Sequence, residues 1–286
     1  MSCAASRAEV PFLRIPEPYD FALSTERFRA FGPDLANLWH EGGLHRVVGG
    51  REVRIEAALG GVLVEPLDSE TERVVRKLLG LEFDLGGFAA FAAGCDATLA
   101  RTVVSLAGLR PPLAPDPFEA LVSSITAQQV SLHAAFAIRS RLIERFGRRV
   151  RLAYAFPARE RLARATEKQL TGLGFSVRKA EYVLGLARSR LAFAELGSLP
   201  DEKIKERLVA VRGLGEWSAD WFLARHLARP RAWPAGDLAL RKAVSAFYAG
   251  GCLLSIQEVR AMGPRFEPFQ NLAAHYLLTG SRTLLS

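Results

Sequence analysis

The chain predicts an α+β fold in two parts, a small antiparallel-sheet domain over residues 1–83 and an all-α region over residues 84–286. Three observations predict it. Residues 44–48, 51–59 and 62–67 are apolar-rich runs separated by Gly49-Gly50 and Gly60-Gly61, the punctuation of successive hairpins. Beyond Asp84 strand signals almost vanish and apolar residues recur at helical spacing. Between these helices LRPPLAPDP, residues 109–117, forces an extended linker that divides them into two lobes.

The elements follow in order. EVRIEA alternates polar with apolar, as a half-buried strand does. Ser69, followed by Glu70 and Glu72, starts a helix whose apolar face is Val74, Val75, Leu78 and Leu79 and which stops at Gly80. Residues 85–93 and 96–107 read as helices, and Phe118 opens the first helix after the linker. Further helices are expected over residues 131–146, 176–188, 201–210, 216–226, 238–247 and 268–278.

The 286 residues exceed the usual single-domain size and supply ample core. A net charge of +8 permits a polyanionic partner without requiring one. Residues 139–164 hold nine arginines against two acids, Glu144 and Glu160, so this stretch is expected to face phosphate or water. Cys3, Cys95 and Cys252 are far apart and form no CxxC pair, which argues against a zinc site or disulfide framework and suits a reducing cytoplasm. No apolar run reaches the length of a membrane span, and the five histidines show no metal-ligand spacing. The absence of a heptad pattern or repeat predicts a monomer.

The densest chemistry lies in residues 208–243. Two helices flank VRGLG, residues 211–215, where Gly213 and Gly215 permit a tight turn and leave backbone N–H groups uncovered. The helix that follows offers its positive end, so Gly213, Gly215 and the N–H of Ser218 form a candidate phosphate cradle, with Arg212 adding charge. The competing reading is a glycine turn that only packs two helices. Trp217 and Trp221, four apart, share one helix face, either as core or as aromatic surface for a ligand. Asp237 precedes LALRKAV and can serve as its N-cap, an interaction of about 1 kcal/mol.

This hairpin, followed by the loop WPAGDLALRKA, resembles the helix-hairpin-helix DNA base-excision glycosylases, and among them the alkylpurine (3-methyladenine DNA glycosylase II) family. DPFEALVSSITAQQVSLHAA (residues 116–135), GLGFSVRKAEYV (172–183) and PYDF (18–21) extend the likeness over nearly the whole chain. The resemblance implies a TATA-binding-protein-like amino-terminal domain, double-stranded DNA as partner and a cleft that receives a flipped, damaged base. It places Asp237 at the catalytic acid, whose charge would stabilise a cationic sugar by about 4 kcal/mol at about 4 Å and an effective dielectric near 20. Trp217 stands where lyase-type members carry their Schiff-base lysine, which implies base removal without strand cleavage.

For an alkylated, cationic purine, Trp217 and Trp221 would supply cation–π attraction of about 2 kcal/mol. Gln129, or equally Gln128, falls where relatives insert a residue into the duplex gap; both could instead cap the helix at Ser131. Carbonyls of Val209, Val211 and Leu214 match a monovalent-cation site of relatives. The four cysteines of the iron-sulfur members are missing, so no such cluster is expected. Two departures bear on substrate choice: Gln270-Asn271 replaces an arginine-serine pair, and Leu278 replaces a base-pocket aromatic. Both point to a broader or shifted lesion range. The alternatives are a glycosylase for deaminated bases, hypoxanthine or uracil, and a helix-hairpin-helix module that binds DNA without cutting.

Overall fold

A computed structural model describes residues 11–284. Strand β1 (Phe12–Arg14) is followed by short helices α1 (Phe21–Thr25) and α2 (Arg27–Ala30), then β2 (Leu38–His40), β3 (Gly43–Val48), β4 (Arg51–Ala58) and β5 (Gly61–Glu65). The five-stranded sheet has the order β1-β5-β4-β3-β2 and every pairing is antiparallel. The predicted meander is therefore its centre, and β1 and β2 are edge strands too short to show alternation. Helix α3 (Ser69–Leu78) covers one sheet face: Val75, Leu78 and Leu79 join Leu44, Val53, Ile55, Val62 and Val64 in one buried cluster. Its N-cap is Asp68, whose carboxylate accepts from the Thr71 N–H at 2.8 Å, and Ser69 is the first helical residue.

A second cluster begins at Phe83 and holds the helices together. These are α4 (Leu85–Cys95), α5 (Ala97–Ser105), α6 (Pro117–Ala127), α7 (Leu132–Phe146), α8 (Arg159–Ala163), α9 (Glu167–Thr171), α10 (Val177–Arg188), α11 (Asp201–Val209), α12 (Glu216–Arg225), α13 (Leu238–Tyr248), α14 (Ile256–Met262) and α15 (Gln270–Thr283). Asp84, Asp96, Asp116, Ser131, Ser176 and Asp237 each accept a first-turn N–H, which is why these helices begin where they do. The proline-rich linker runs past the C-terminal end of α12 and the middle of α15. Ala114 exchanges bonds with α12 through its N–H to the Arg225 carbonyl (2.8 Å) and its carbonyl to His226 Nδ1 (2.7 Å). Tyr276 of α15 donates to the Leu109 carbonyl at 2.8 Å.

The all-α expectation for residues 84–286 needs one correction. A two-stranded hairpin, β6 (Arg148–Val150) and β7 (Ala153–Ala155), leaves the helical region and docks on the sheet. The N–H groups of Leu152 and Ala153 donate to Glu52 at 2.7 and 3.0 Å, and that of Tyr154 to the Leu35 carbonyl at 2.9 Å. Three-residue strands made largely of arginine and alanine carry no alternation signal; the sheet they dock on selects them.

The same region corrects the expectation for the nine arginines. Arg141 donates to the Leu173 carbonyl at 2.7 Å, Arg159 to that of Ala187 at 2.9 Å, and Arg161 to that of Gly147 at 3.3 Å. Arg139 is buried in an ion network: it reaches Glu119 at 2.7 Å and Asp34 at 3.1 Å, while Arg46 of β3 meets Glu119 at 2.6 Å and Asn37 at 2.6 Å. Burial alone would raise the Glu119 pKa, but Arg46 and Arg139 outweigh it and hold the carboxyl down at about 2. Part of the basic cluster thus caps helix ends and clasps the sheet to α6 and α7.

Candidate active site

The N-cap position orients Asp237. Its Oδ1 accepts from the Leu240 N–H at 2.8 Å, which fixes the carboxylate at the positive end of α13 and leaves Oδ2 to face α12. Oδ2 accepts two further bonds, from Trp217 Nε1 at 2.8 Å and Trp221 Nε1 at 3.0 Å. Capping and chemistry are therefore compatible: one oxygen holds the helix, the other is gripped by two indoles and borders a cleft of about 1060 Å³. Gln128, Gln129, Gly215, Trp217, Ser218, Trp221, Asp237 and Leu278 all line that cleft. It opens between α6 and α7 on one side and α12, α13 and α15 on the other.

The hairpin glycines do different work. Gly213 has φ +96°, and a Cβ there would lie 2.2 Å from Cγ of Tyr182, so this position needs glycine for the turn and for packing. Gly215 has an ordinary φ of −112°, and a Cβ would meet nothing within 4 Å. It is the N-cap of α12 and provides no side-chain cap, so the first-turn N–H groups, Ser218 among them, are left for a ligand. Arg212 is exposed and paired with Glu181 at 2.9 Å, which offsets part of the charge it was expected to add. In the predicted cation site, the Val211 carbonyl already accepts from the Leu214 N–H at 3.0 Å, leaving one lone pair. No group of three or more His, Cys, Asp or Glu side chains converges as for a metal among the described residues. Cys95 and Cys252 are free thiols, and Cys3 lies outside the described residues.

The two glutamines separate. Gln128 Nε2 donates to the Gly213 carbonyl at 2.8 Å and lies 3.5 Å from Ser218 Oγ, so its amide ties the α6–α7 turn to the hairpin. Gln129 is exposed at the cleft with φ +54°, a backbone state that lifts it out of the helix path. Ser131, not either glutamine, caps α7. Gln270 and Asn271 are buried: Asn271 Nδ2 donates to the carbonyls of Ala224 (3.1 Å) and Arg229 (3.0 Å), finishing the end of α12. His275 packs between Trp221 and Phe83.

The cation–π expectation changes most. Trp221 is buried, and the Arg225 guanidinium already stands 3.8 Å from its ring centroid. Arg225, Arg27 of α2 and Arg282 of α15 also line the cleft, and no motif in the sequence marks them. Arg225 lies four residues after Trp221 on one helix, a spacing that could have suggested the stack; Arg27 and Arg282 carry no local signal.

Residues 122–252 match the model of the HhH-GPD superfamily base excision DNA repair protein, a span that includes the glutamine turn, the hairpin and Asp237. The chain is 28% identical over 216 residues to a DNA-3-methyladenine glycosylase of Bacillus subtilis, covering 73% of this chain and 71% of that protein. A 3-methyladenine DNA-glycosylase from Archaeoglobus fulgidus superimposes with a TM-score of 0.86 and 26% identity over 96% of this chain and 99% of its own. The fold is also shared, with a TM-score of 0.78 and 20% identity over 94% of this chain and 93% of its own, by a Clostridium acetobutylicum 8-oxoguanine glycosylase/lyase solved with double-stranded DNA. Over residues 122–252 the chain is thus similar to the HhH-GPD superfamily of base excision DNA repair proteins.

Proposed function

We propose that the chain is a monofunctional DNA glycosylase that flips a damaged purine of the alkylated class out of duplex DNA and removes it, the first step of base-excision repair. One observation carries this reading: the Asp237 carboxylate, with both indoles bonded to Oδ2, borders the same cleft as the open start of α12. A DNA phosphate held by the uncovered N–H groups would set the strand beside the cleft, and Gln129 stands where it can fill the vacated stack. As the N-glycosidic bond breaks, its electron pair leaves with the base and positive charge develops on the sugar. Asp237 stabilises that charge while water adds to C1′ and loses its proton, giving free base and an abasic site.

Trp217 has no amine to form an imine, so the reaction is expected to stop there. The B. subtilis and A. fulgidus relatives, both named for 3-methyladenine, support the alkylpurine class. No helix among the described residues is long and apolar enough to cross a membrane. In this reading the chain acts on DNA as a monomer.

The test is release of bases from methylated duplex DNA, measured by chromatography with the wild type beside Asp237→Asn. Release of 3-methyladenine or 7-methylguanine by the wild type, lost in the variant while DNA binding persists, supports the reading. Binding with no release of any base would make the chain a non-catalytic DNA-binding module.

A further inference from the structure

Trp217 and Trp221 donate to the same carboxylate oxygen, yet they are held in different ways. Trp217 is half-buried and lines the cleft, and among the described residues neither an aromatic ring nor a guanidinium stands over its indole. Trp221 is buried, its ring meets the His275 imidazole at a centroid distance of 5.8 Å, and the Arg225 guanidinium stands 3.8 Å from its centroid. Arg225 follows Trp221 by four residues on α12, so one helical turn sets the stack. Among the described residues Arg225 has no carboxylate within ion-pair distance and donates no hydrogen bond. The acids that line the cleft are committed elsewhere: Asp34 and Glu119 to Arg139, Asp237 to the two indoles. Burial, then the Arg27 charge, press the Arg225 pKa well below its usual value, and Asp237 opposes them. Arginine keeps its proton in proteins, so the electron-rich ring face is the compensation within reach.

We infer that Arg225 is a positioning residue for base removal: it fixes the Trp221 ring, and so keeps the indole N–H aimed at Oδ2 of Asp237. The inference rests on the proposed function and adds a residue to it. An indole is one rigid plane, so a guanidinium held over its face also sets the direction in which Nε1 donates. The cation draws π-electron density toward itself, which makes the N–H a stronger donor. Oδ1 of Asp237 is fixed by the Leu240 N–H, so the remaining freedom of the carboxylate is controlled at Oδ2 by the two indoles. Trp217, with its ring bordering the cleft, can adjust when a base enters. Trp221, held by Arg225 and His275, cannot, and it keeps the carboxylate in place while charge develops on the sugar.

The experiment is a double-mutant cycle on single-turnover base release from methylated duplex DNA, using wild type, Arg225→Gln, Trp221→Phe and the two combined. Trp221→Phe keeps a ring and deletes the donor. Arg225→Gln alone should slow the maximal rate roughly three- to thirtyfold, with little change in the protein concentration that gives half that rate. Partial unfolding would do the opposite, raising that concentration and sparing the maximal rate. Once Trp221→Phe has removed the N–H to be aimed, adding Arg225→Gln should change the rate by less than about twofold. Arg27→Gln is the control: this cleft guanidinium stands 5.6 Å from the Phe136 centroid, and its removal should have the same effect with and without Trp221→Phe. Equal slowing by Arg225→Gln in both backgrounds, or none in the wild-type background, overturns the inference and leaves the proposed function standing. A wild type that releases no base from any damaged duplex overturns both.

Discussion

Trp221 donates its indole N–H to Oδ2 of Asp237 at 3.0 Å while its ring face carries the Arg225 guanidinium at 3.8 Å. Trp217 donates to the same oxygen at 2.8 Å, so the carboxylate is aimed by two rigid side chains of one helix. Asp237→Asn would turn an amide N–H or a weaker acceptor toward these indoles and remove the charge. Base release should fall about a thousandfold or more, the equivalent of about 4 kcal/mol, with undamaged-DNA affinity within a few-fold of wild type. Single-turnover release and fluorescence-anisotropy binding measure the two effects. Loss of binding in proportion to activity would assign Asp237 a capping role alone.

Trp217→Phe keeps a ring and deletes the donor. A hydrogen bond to a charged acceptor contributes about 1.5–3 kcal/mol, so the chemical step should slow by roughly ten- to a hundredfold. Wild-type protein incubated with lesion DNA and borohydride should yield no covalent adduct. Lys242 is the amine that lines the cleft, and an adduct lost on Lys242→Gln would identify it as an imine-forming lysine and end the monofunctional reading.

The hairpin glycines should respond differently to the same substitution. Gly213→Ala places a methyl against Tyr182 at a positive φ and should cost roughly 2–4 kcal/mol of stability in denaturant unfolding. Gly215→Ala has open space and an ordinary backbone, so stability should hold while affinity for duplex DNA drops. Equal stability of the two variants would contradict the assigned roles.

Gln128 and Gln129 can be separated by substrate. Gln128→Ala removes the bond to the Gly213 carbonyl and should weaken binding to damaged and undamaged duplexes alike. Gln129→Ala should slow release at least tenfold from a paired lesion and less from a mismatched one, because an unpaired base is easier to extrude. A pairing-independent defect in Gln129→Ala would remove it from the flipping step.

Glu119 gives stability a definite pH dependence. Its folded pKa, about 2, lies below its value in the unfolded chain, so the unfolded state binds the proton first as pH falls. Its contribution is complete above the ordinary carboxylate pKa and is lost progressively as pH falls from there towards 2. Glu119→Gln should destabilise the protein by roughly 3–5 kcal/mol at neutral pH, since it leaves buried Arg46 with no carboxylate and Arg139 with Asp34 alone, and should flatten that acid slope. Urea unfolding at several pH values measures both.

The sequence by itself determined what is local. Capping residues and apolar repeats set most helix starts within a residue or two, glycine pairs set the central hairpins, and the order of glutamine turn, hairpin and Asp237 loop pointed to the chemistry proposed above, because each signal is written in neighbours a few positions apart. Only the tertiary structure decided which glutamine is free, that Asn271 ends α12, that β6 and β7 exist, and that Arg139 of the arginine cluster ties α6 and α7 to the segment around Asp34. It also brought Arg27, Arg225 and Arg282 to one end of one cleft. Residues that distant share no periodicity, and their meeting is set by packing between elements, which no short stretch of the chain encodes.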